Sequence, residues 1–157
     1  MSGDRLALIL AKQKQAHDQR TAASEEKRRR ELEKGKRVLK LVETWTATQG
    51  SLKAVVAELN RAMQANGVTL RYREETTLPG VRHSAEITYT QPQEYISTGL
   101  SLRLYLNAQG LLTITIVGMG RPIKSEKIKL TDFVEEVQRG WLLDFLEATV
   151  EAEAGQK

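Results

Sequence analysis

The stretch at residues 100–117, LSLRLYLNAQGLLTITIV, decides the fold class of this chain. Leu100, Leu102, Leu104 and Leu106 share one side of an extended backbone, and Ser101, Arg103 and Tyr105 share the other. That period of two belongs to a strand buried on one face and wetted on the other. After Asn107, Ala108, Gln109 and Gly110 the alternation resumes, with Leu112, Ile114 and Ile116 set against Thr113 and Thr115. A two-residue loop would pair Leu106 with Leu111 and Leu104 with Thr113, placing threonine in the core. A three-residue loop of Ala108, Gln109 and Gly110 pairs Leu106 with Leu112, Leu104 with Ile114 and Leu102 with Ile116. A slip of one residue turns every side chain over, so burial selects the second register. Gly110 then occupies the left-handed position of a type I turn with a bulge.

On the N-terminal side, Val68, Leu70 and Tyr72 alternate with Thr69, Arg71 and Arg73, and Leu78-Pro79-Gly80-Val81 has the order of a type II turn. Folding there sets Leu70 opposite Tyr89, Tyr72 opposite Ile87 and Arg73 opposite Glu86, matching apolar with apolar and cation with anion. Residues 91–98 connect this hairpin to the central one, giving a four-stranded antiparallel meander. Gly118 to Lys129 reads as a loop with a short extended piece around Ile128. A C-terminal helix opens at Thr131 as N-cap, with Asp132, Glu135 and Glu136 in its first turn, where the helix dipole favours acids. Phe133, Val137, Trp141, Phe145 and Ala148 form its inner stripe, widened by Leu142 and Leu146, and cover one sheet face.

Upstream of the sheet, Leu52, Val55, Val56, Leu59 and Met63 define an amphipathic helix closed by Asn66-Gly67, and Gly50-Ser51 reads as a stop followed by an N-cap. Before that stop, Val38, Leu41, Val42 and Trp45 mark where a preceding helix meets the body. From Lys12 to Glu31 no apolar residue exceeds alanine, yet proline and glycine are also missing. Glu25 with Arg29, Glu26 with Arg30 and Glu33 with Arg37 stand at i, i+4 with the acid first, each worth a few tenths of a kcal/mol. The composition predicts a solvated helical arm, with Gly35 a weak point. Only Ala16 and Ala23 keep heptad step, too little for a coiled coil.

At 157 residues the chain is one domain with an appendage. The expected division is a polar, basic arm with an apolar tip at 1–37, an α+β domain at 38–153 and a disordered tail at 154–157. The absence of cysteine excludes disulfides, thiolate metal sites and cysteine nucleophiles. No apolar run approaches the roughly 20 residues of a membrane span, and Leu6 to Ala11 is too short for a signal segment. A cytoplasmic protein without membrane contact is the expectation. Residues 1–50 hold twelve Lys and Arg against seven acids, whereas from Asp132 onward seven acids face only Arg139 and Lys157. The two ends are electrostatic opposites.

Catalytic and metal readings find little footing, and neither an enzyme nor a cofactor is expected. His17 lies on the polar arm beside Asp18, and His83 follows a turn. In the hairpin register Glu74 and His83 lie near each other on the core side, where a hydrogen-bonded pair is favoured over an acid/base pair, since nothing supplies a nucleophile or an oxyanion site. Gly118-Met119-Gly120-Arg121 lacks the third glycine of a phosphate loop and reads as a flexible strand exit. Arg71, Arg73, Arg103 and Tyr105 project from the outer sheet face beside Thr88, Thr113 and Thr115. One tyrosine is too few for a base-stacking platform, leaving a solvated face or a subunit interface.

Two features of the arm carry the functional expectation. Leu6, Ile9 and Leu10 fall at i, i+3 and i+4, with Leu8 beside them, as an apolar tip on a polar rod. Lys27, Arg28, Arg29, Arg30, Lys34, Lys36, Arg37 and Lys40 place eight cations against Glu31 and Glu33 within fourteen residues. Such a cluster can bind phosphates by counterion release or simply solubilise a helix. The fold expected is α+β: a long N-terminal helix, a second helix, a four-stranded antiparallel meander and a C-terminal helix packed on one sheet face. The function expected is a non-catalytic assembly or adaptor protein that binds its own copies or a partner protein through the arm. The alternative is a nucleic-acid-binding accessory protein using the basic cluster at 27–40.

Overall fold

A computed structural model describes residues 2–75, 83–90 and 99–155. The expected turn at 78–81 and the connection at 91–98 lie outside the described residues. The chain divides into two compact units, Met1–Lys40 and Leu41–Lys157. The first is helical throughout its described part. In the second, an antiparallel sheet of five strands in sequential order carries helices on its apolar face.

The strands are β1 (Thr69–Glu75), β2 (His83–Thr90), β3 (Leu100–Leu106), β4 (Leu111–Gly118) and β5 (Arg121–Lys129). The central hairpin has the expected register: Leu102, Leu104 and Leu106 oppose Ile116, Ile114 and Leu112. All six are buried. Gly110 has φ 82°. Asn107 Oδ1 accepts from the backbone N–H groups of Gln109 and Leu111, closing the turn locally. In the first hairpin Leu70 opposes Tyr89, Tyr72 opposes Ile87 and Arg73 opposes Glu86, with the Arg73–Glu86 ion pair at 3.4 Å.

The expected second helix is the continuation of the first. Helix α1 runs Ser2–Met63 without a stop at Gly50, and Ser51 lies in its interior. Trp45, Thr48, Leu52, Val55 and Val56 are buried at three- and four-residue steps across the glycine. Keeping that stripe against the sheet outweighs the roughly 1 kcal/mol that an interior glycine costs relative to alanine. Ser51 Oγ donates to Gln138 Oε1 at 2.9 Å, so its hydroxyl joins two helices instead of capping one.

The meander has five strands where four were expected. Residues 121–129 pair with β4 as an edge strand, entered by a tight turn with Met119 at φ 52° and Gly120 at φ 77°. The Gly-Met-Gly segment is thus a hairpin turn, and Gly118 is tightly enclosed. A Cβ there would stand 2.5 Å from Leu100 Cδ2 and 2.7 Å from Ile123 Cδ1. Every β5 residue except Ile128 is exposed, which removes the apolar alternation that marks a strand in sequence. Its lysines and glutamate suit an edge that must not pair with another edge. Pro122 sits beside the register shift at Ile116/Val117, where a missing N–H is tolerated.

The last helix also begins later than expected. Leu130–Asp132 form a single 3-10 turn, and α2 spans Glu135–Gly155. Thr131 and Asp132 are spent in that turn, and Phe133 N–H donates to Leu130 O at 3.1 Å. Phe133 is buried ahead of the helix, while Trp141, Leu142 and Phe145 are buried on it. The helix extends through Gly155, inside the tail expected at 154–157; residues 156 and 157 lie outside the described residues.

The unbroken α1 makes a direct prediction. A Cβ at Gly50 would meet nothing within 4 Å, so Gly50→Ala should stabilise the domain by about 0.5–1 kcal/mol in chemical denaturation. A helix stop with a left-handed glycine would instead be destabilised by that change. At the central turn, Gly110→Val should cost about 1–3 kcal/mol and clearly more than Ala108→Val, because a β-branched residue is strained at positive φ.

Candidate functional site

Among residues 3–40 every side chain is exposed except those of Glu26 and Val38, which are half-buried. Leu6, Leu8, Ile9 and Leu10 retain between 44% and 64% of their accessible surface. Helical geometry brings Leu6, Ile9 and Leu10 together on one face, as their spacing implies. Leu32 and Leu39 are exposed further along.

Lys27, Arg28, Arg29, Arg30, Lys34 and Arg37 are all exposed on this helix. Four consecutive cations at 100° steps encircle a helix, so they do not form one stripe. Arg29 binds Glu26 at 2.7 Å and Glu33 at 3.3 Å, and Arg30 binds Glu26 at 3.3 Å. Of the three pairs expected, Glu26–Arg30 forms, whereas Glu25–Arg29 and Glu33–Arg37 are not among the ion pairs of the described residues. Arg29 turns to Glu26 and Glu33, because both the i−3 and i+4 carboxylates lie within reach of one guanidinium. Two of the six candidate phosphate-binding cations are therefore engaged with carboxylates within the arm.

In the second unit, a polar network lies between α1 and β1. Gln49 Nε2 donates to Tyr72 Oη and to Glu74 Oε1, both at 2.8 Å. Lys53 Nζ stands 5.2 Å from the Tyr72 ring centroid and 4.0 Å from Glu74 Oε1. Burial pushes the Tyr72 phenol up to about 12, reinforced by the Glu74 charge and opposed by the Gln49 hydrogen bond. His83 stacks on Trp45, with ring centroids 5.7 Å apart. Glu74 accepts from Gln49 and lies beside Lys53, and the His83 imidazole packs on the Trp45 indole. This network holds a sheet edge to a helix.

Asn60 does the same at Leu70, two residues before Tyr72. Its Oδ1 accepts from Leu70 N–H at 2.7 Å and its Nδ2 donates to Leu70 O at 3.0 Å, satisfying both main-chain groups of one residue on the edge strand. Gln138 is its counterpart in the core: buried, it accepts from Ser51 and donates to Phe133 O at 2.8 Å. Neither amide stands out in sequence, since each lies at an ordinary helical position and its partner is long-range or main-chain.

On the outer sheet face, Arg71 and Arg73 are exposed, and Arg103, Tyr105, Thr88, Thr113 and Thr115 are half-buried. Arg103 Nε donates to Ser101 Oγ at 3.2 Å, and Thr115 and Ser125 share a hydrogen bond at 2.9 Å. Among the described residues no group of three His, Asp or Glu side chains could hold a metal ion. Among the same residues no helix is long and apolar enough to cross a membrane.

The second helix, α2, has an outer stripe that sequence reading passed over. Glu136, Gly140, Leu143, Glu147, Val150 and Ala154 follow one another at alternating four- and three-residue steps, and all six are exposed. The inner stripe of Trp141, Phe145 and Leu142 accounts for the main apolar periodicity, so Leu143 and Val150 read as its margin.

Fold and surface together define an α+β domain preceded by an uncovered, basic, apolar-tipped helical arm. No family model matches the chain, and no curated protein and no solved structure matches it.

Because the neutral phenol is favoured in the folded state, the Tyr72 contribution to stability is complete below pH 10 and is lost as pH rises from about 10 toward about 12. Ultraviolet titration of the native protein should show a tyrosine that titrates late, near pH 12, and that is absent from Tyr72→Phe.

Proposed function

We propose that this is a cytoplasmic, non-catalytic assembly protein whose N-terminal helical arm docks on another protein surface, foremost a second copy of the same chain. The observation that carries this reading is the exposure of every aliphatic side chain at the arm's tip, on a helix with no buried face from residue 3 to residue 37. An isolated helix gains little from propensity alone and draws most of its stability from packing an apolar face. Clusters of exposed aliphatic side chains mark contact sites. The absence of cysteine fits a reducing compartment. Nucleic-acid contact through Lys27, Arg28, Lys34 and Arg37 has less support, because the acids at 26 and 33 already engage Arg29 and Arg30.

The combined substitution Leu6→Ser, Ile9→Ser, Leu10→Ser should lower the mass measured by light scattering toward that of one 17.7 kDa chain, with the cooperative melt of the sheet domain unchanged. A monomeric parent, or a variant that keeps the parent's mass, would refute the assembly reading. Retention of the parent on nucleic acid that falls steeply with salt and is flattened by replacing Arg28 would move the assignment to the alternative.

A further inference from the structure

The outer face of α2 and the basic half of the arm carry matching patterns of opposite charge. On α2, Leu143, Glu147 and Val150 stand at i, i+4 and i+7; on α1, Leu32, Lys36 and Leu39 stand at the same spacing. Leu143 and Val150 are 45% and 61% exposed, and Leu32 and Leu39 are 62% and 64% exposed. Among the described residues neither Lys36 nor Glu147 has an ion pair. Each stripe includes a glycine, Gly35 or Gly140, whose Cβ position is open for 4 Å, so a neighbouring helix could approach closely there. Glu136 and Glu151 flank the α2 stripe, and Arg28, Arg29 and Lys40 flank the other.

We infer that the α2 stripe is the docking site for residues 28–40 of the arm from a second copy of this chain, with Leu32 and Leu39 packing on Leu143 and Val150 and Lys36 facing Glu147. This rests on the reading of the arm as an assembly element and names the surface that receives it. A second copy is the occupant because the charges select it. Residues 1–50 carry net positive charge, so two arms repel each other, whereas the chain from Asp132 onward is its acidic complement. The apolar pair on each stripe supplies burial, and the central lysine and glutamate set register and exclude the arm–arm alternative. Each copy owns one donor stripe and one acceptor stripe, so reciprocal exchange about a two-fold axis makes two such contacts per dimer.

The test uses the full-length chain in sedimentation and light scattering at low ionic strength. Lys36→Glu and Glu147→Lys, each on an exposed position, should separately weaken self-association by about tenfold or more, since either one places like charges opposite each other. Both changes in one chain should restore association to within a few-fold of the parent, because every contact between copies again pairs opposite charges. Raising salt should weaken the parent and the double variant alike. If the double variant associates no better than either single one, the docking is wrong. If both single variants keep the parent's mass while the Leu6, Ile9, Leu10 serine variant dissociates, the α2 face is overturned and arm-mediated assembly stands. A parent that sediments as one chain overturns both.

Discussion

Six side chains on the central hairpin, Leu102, Leu104, Leu106, Leu112, Ile114 and Ile116, are all buried on the same sheet face, and the rest of the second unit is arranged to keep water from them. A single sheet cannot shield its own apolar face, so something must lie across it. Two helical stripes do so: Trp45, Leu52, Val55 and Val56 from α1, and Trp141, Leu142 and Phe145 from α2. Burying a large aliphatic or aromatic side chain is worth about 1.5–3 kcal/mol, which makes the cover cooperative and decides several local choices against local propensity. The continuation of α1 through Gly50 is one of them. The glycine and serine together form a good stop signal, but stopping there would take Leu52 and Val55 off the sheet.

Covering a sheet with helices leaves polar groups along the seams, and two side-chain amides meet some of them. Gln138 spans from Ser51 to the Phe133 carbonyl in the core, and Asn60 satisfies both main-chain groups of Leu70 on the edge strand. Leaving a buried donor or acceptor unpaired costs about 1–3 kcal/mol, so these contacts fix how the helices sit along the strands more than they add net stability. The same reasoning accounts for Tyr72, whose hydroxyl accepts from Gln49 while its ring lies under Lys53. At the far edge Lys124 reaches α2, with its ammonium 4.4 Å from the Trp141 ring centroid and an ion pair to Asp144. Polar residues that read as surface in sequence thus become fasteners at the sheet margins.

The exposed helical surfaces share one kind of chemistry. Helical stripes of aliphatic residues are flanked by charge, basic on the arm and acidic on α2. In the proposed assembly aliphatic contact would supply attraction with little direction, and the charges would decide which stripes meet.

The α+β class, the register of both hairpins, the left-handed turn at Gly110 and the exposed tip at Leu6, Ile9 and Leu10 were legible in the sequence by itself. Each depends on periodicity or on the steric needs of one residue, and both are local. The fifth strand was not legible, because an edge strand exposed on both faces has no apolar alternation to reveal it. Nor were the unbroken α1, the late start of α2 or the roles of Asn60 and Gln138, since all of these turn on partners distant along the chain. For the surface, sequence located the basic cluster and the acidic end. Only the tertiary structure showed that Leu143 and Val150 stay outside the core while their neighbours Leu142 and Thr149 are buried, because which flank of an apolar helix faces the sheet is settled by packing and not by composition.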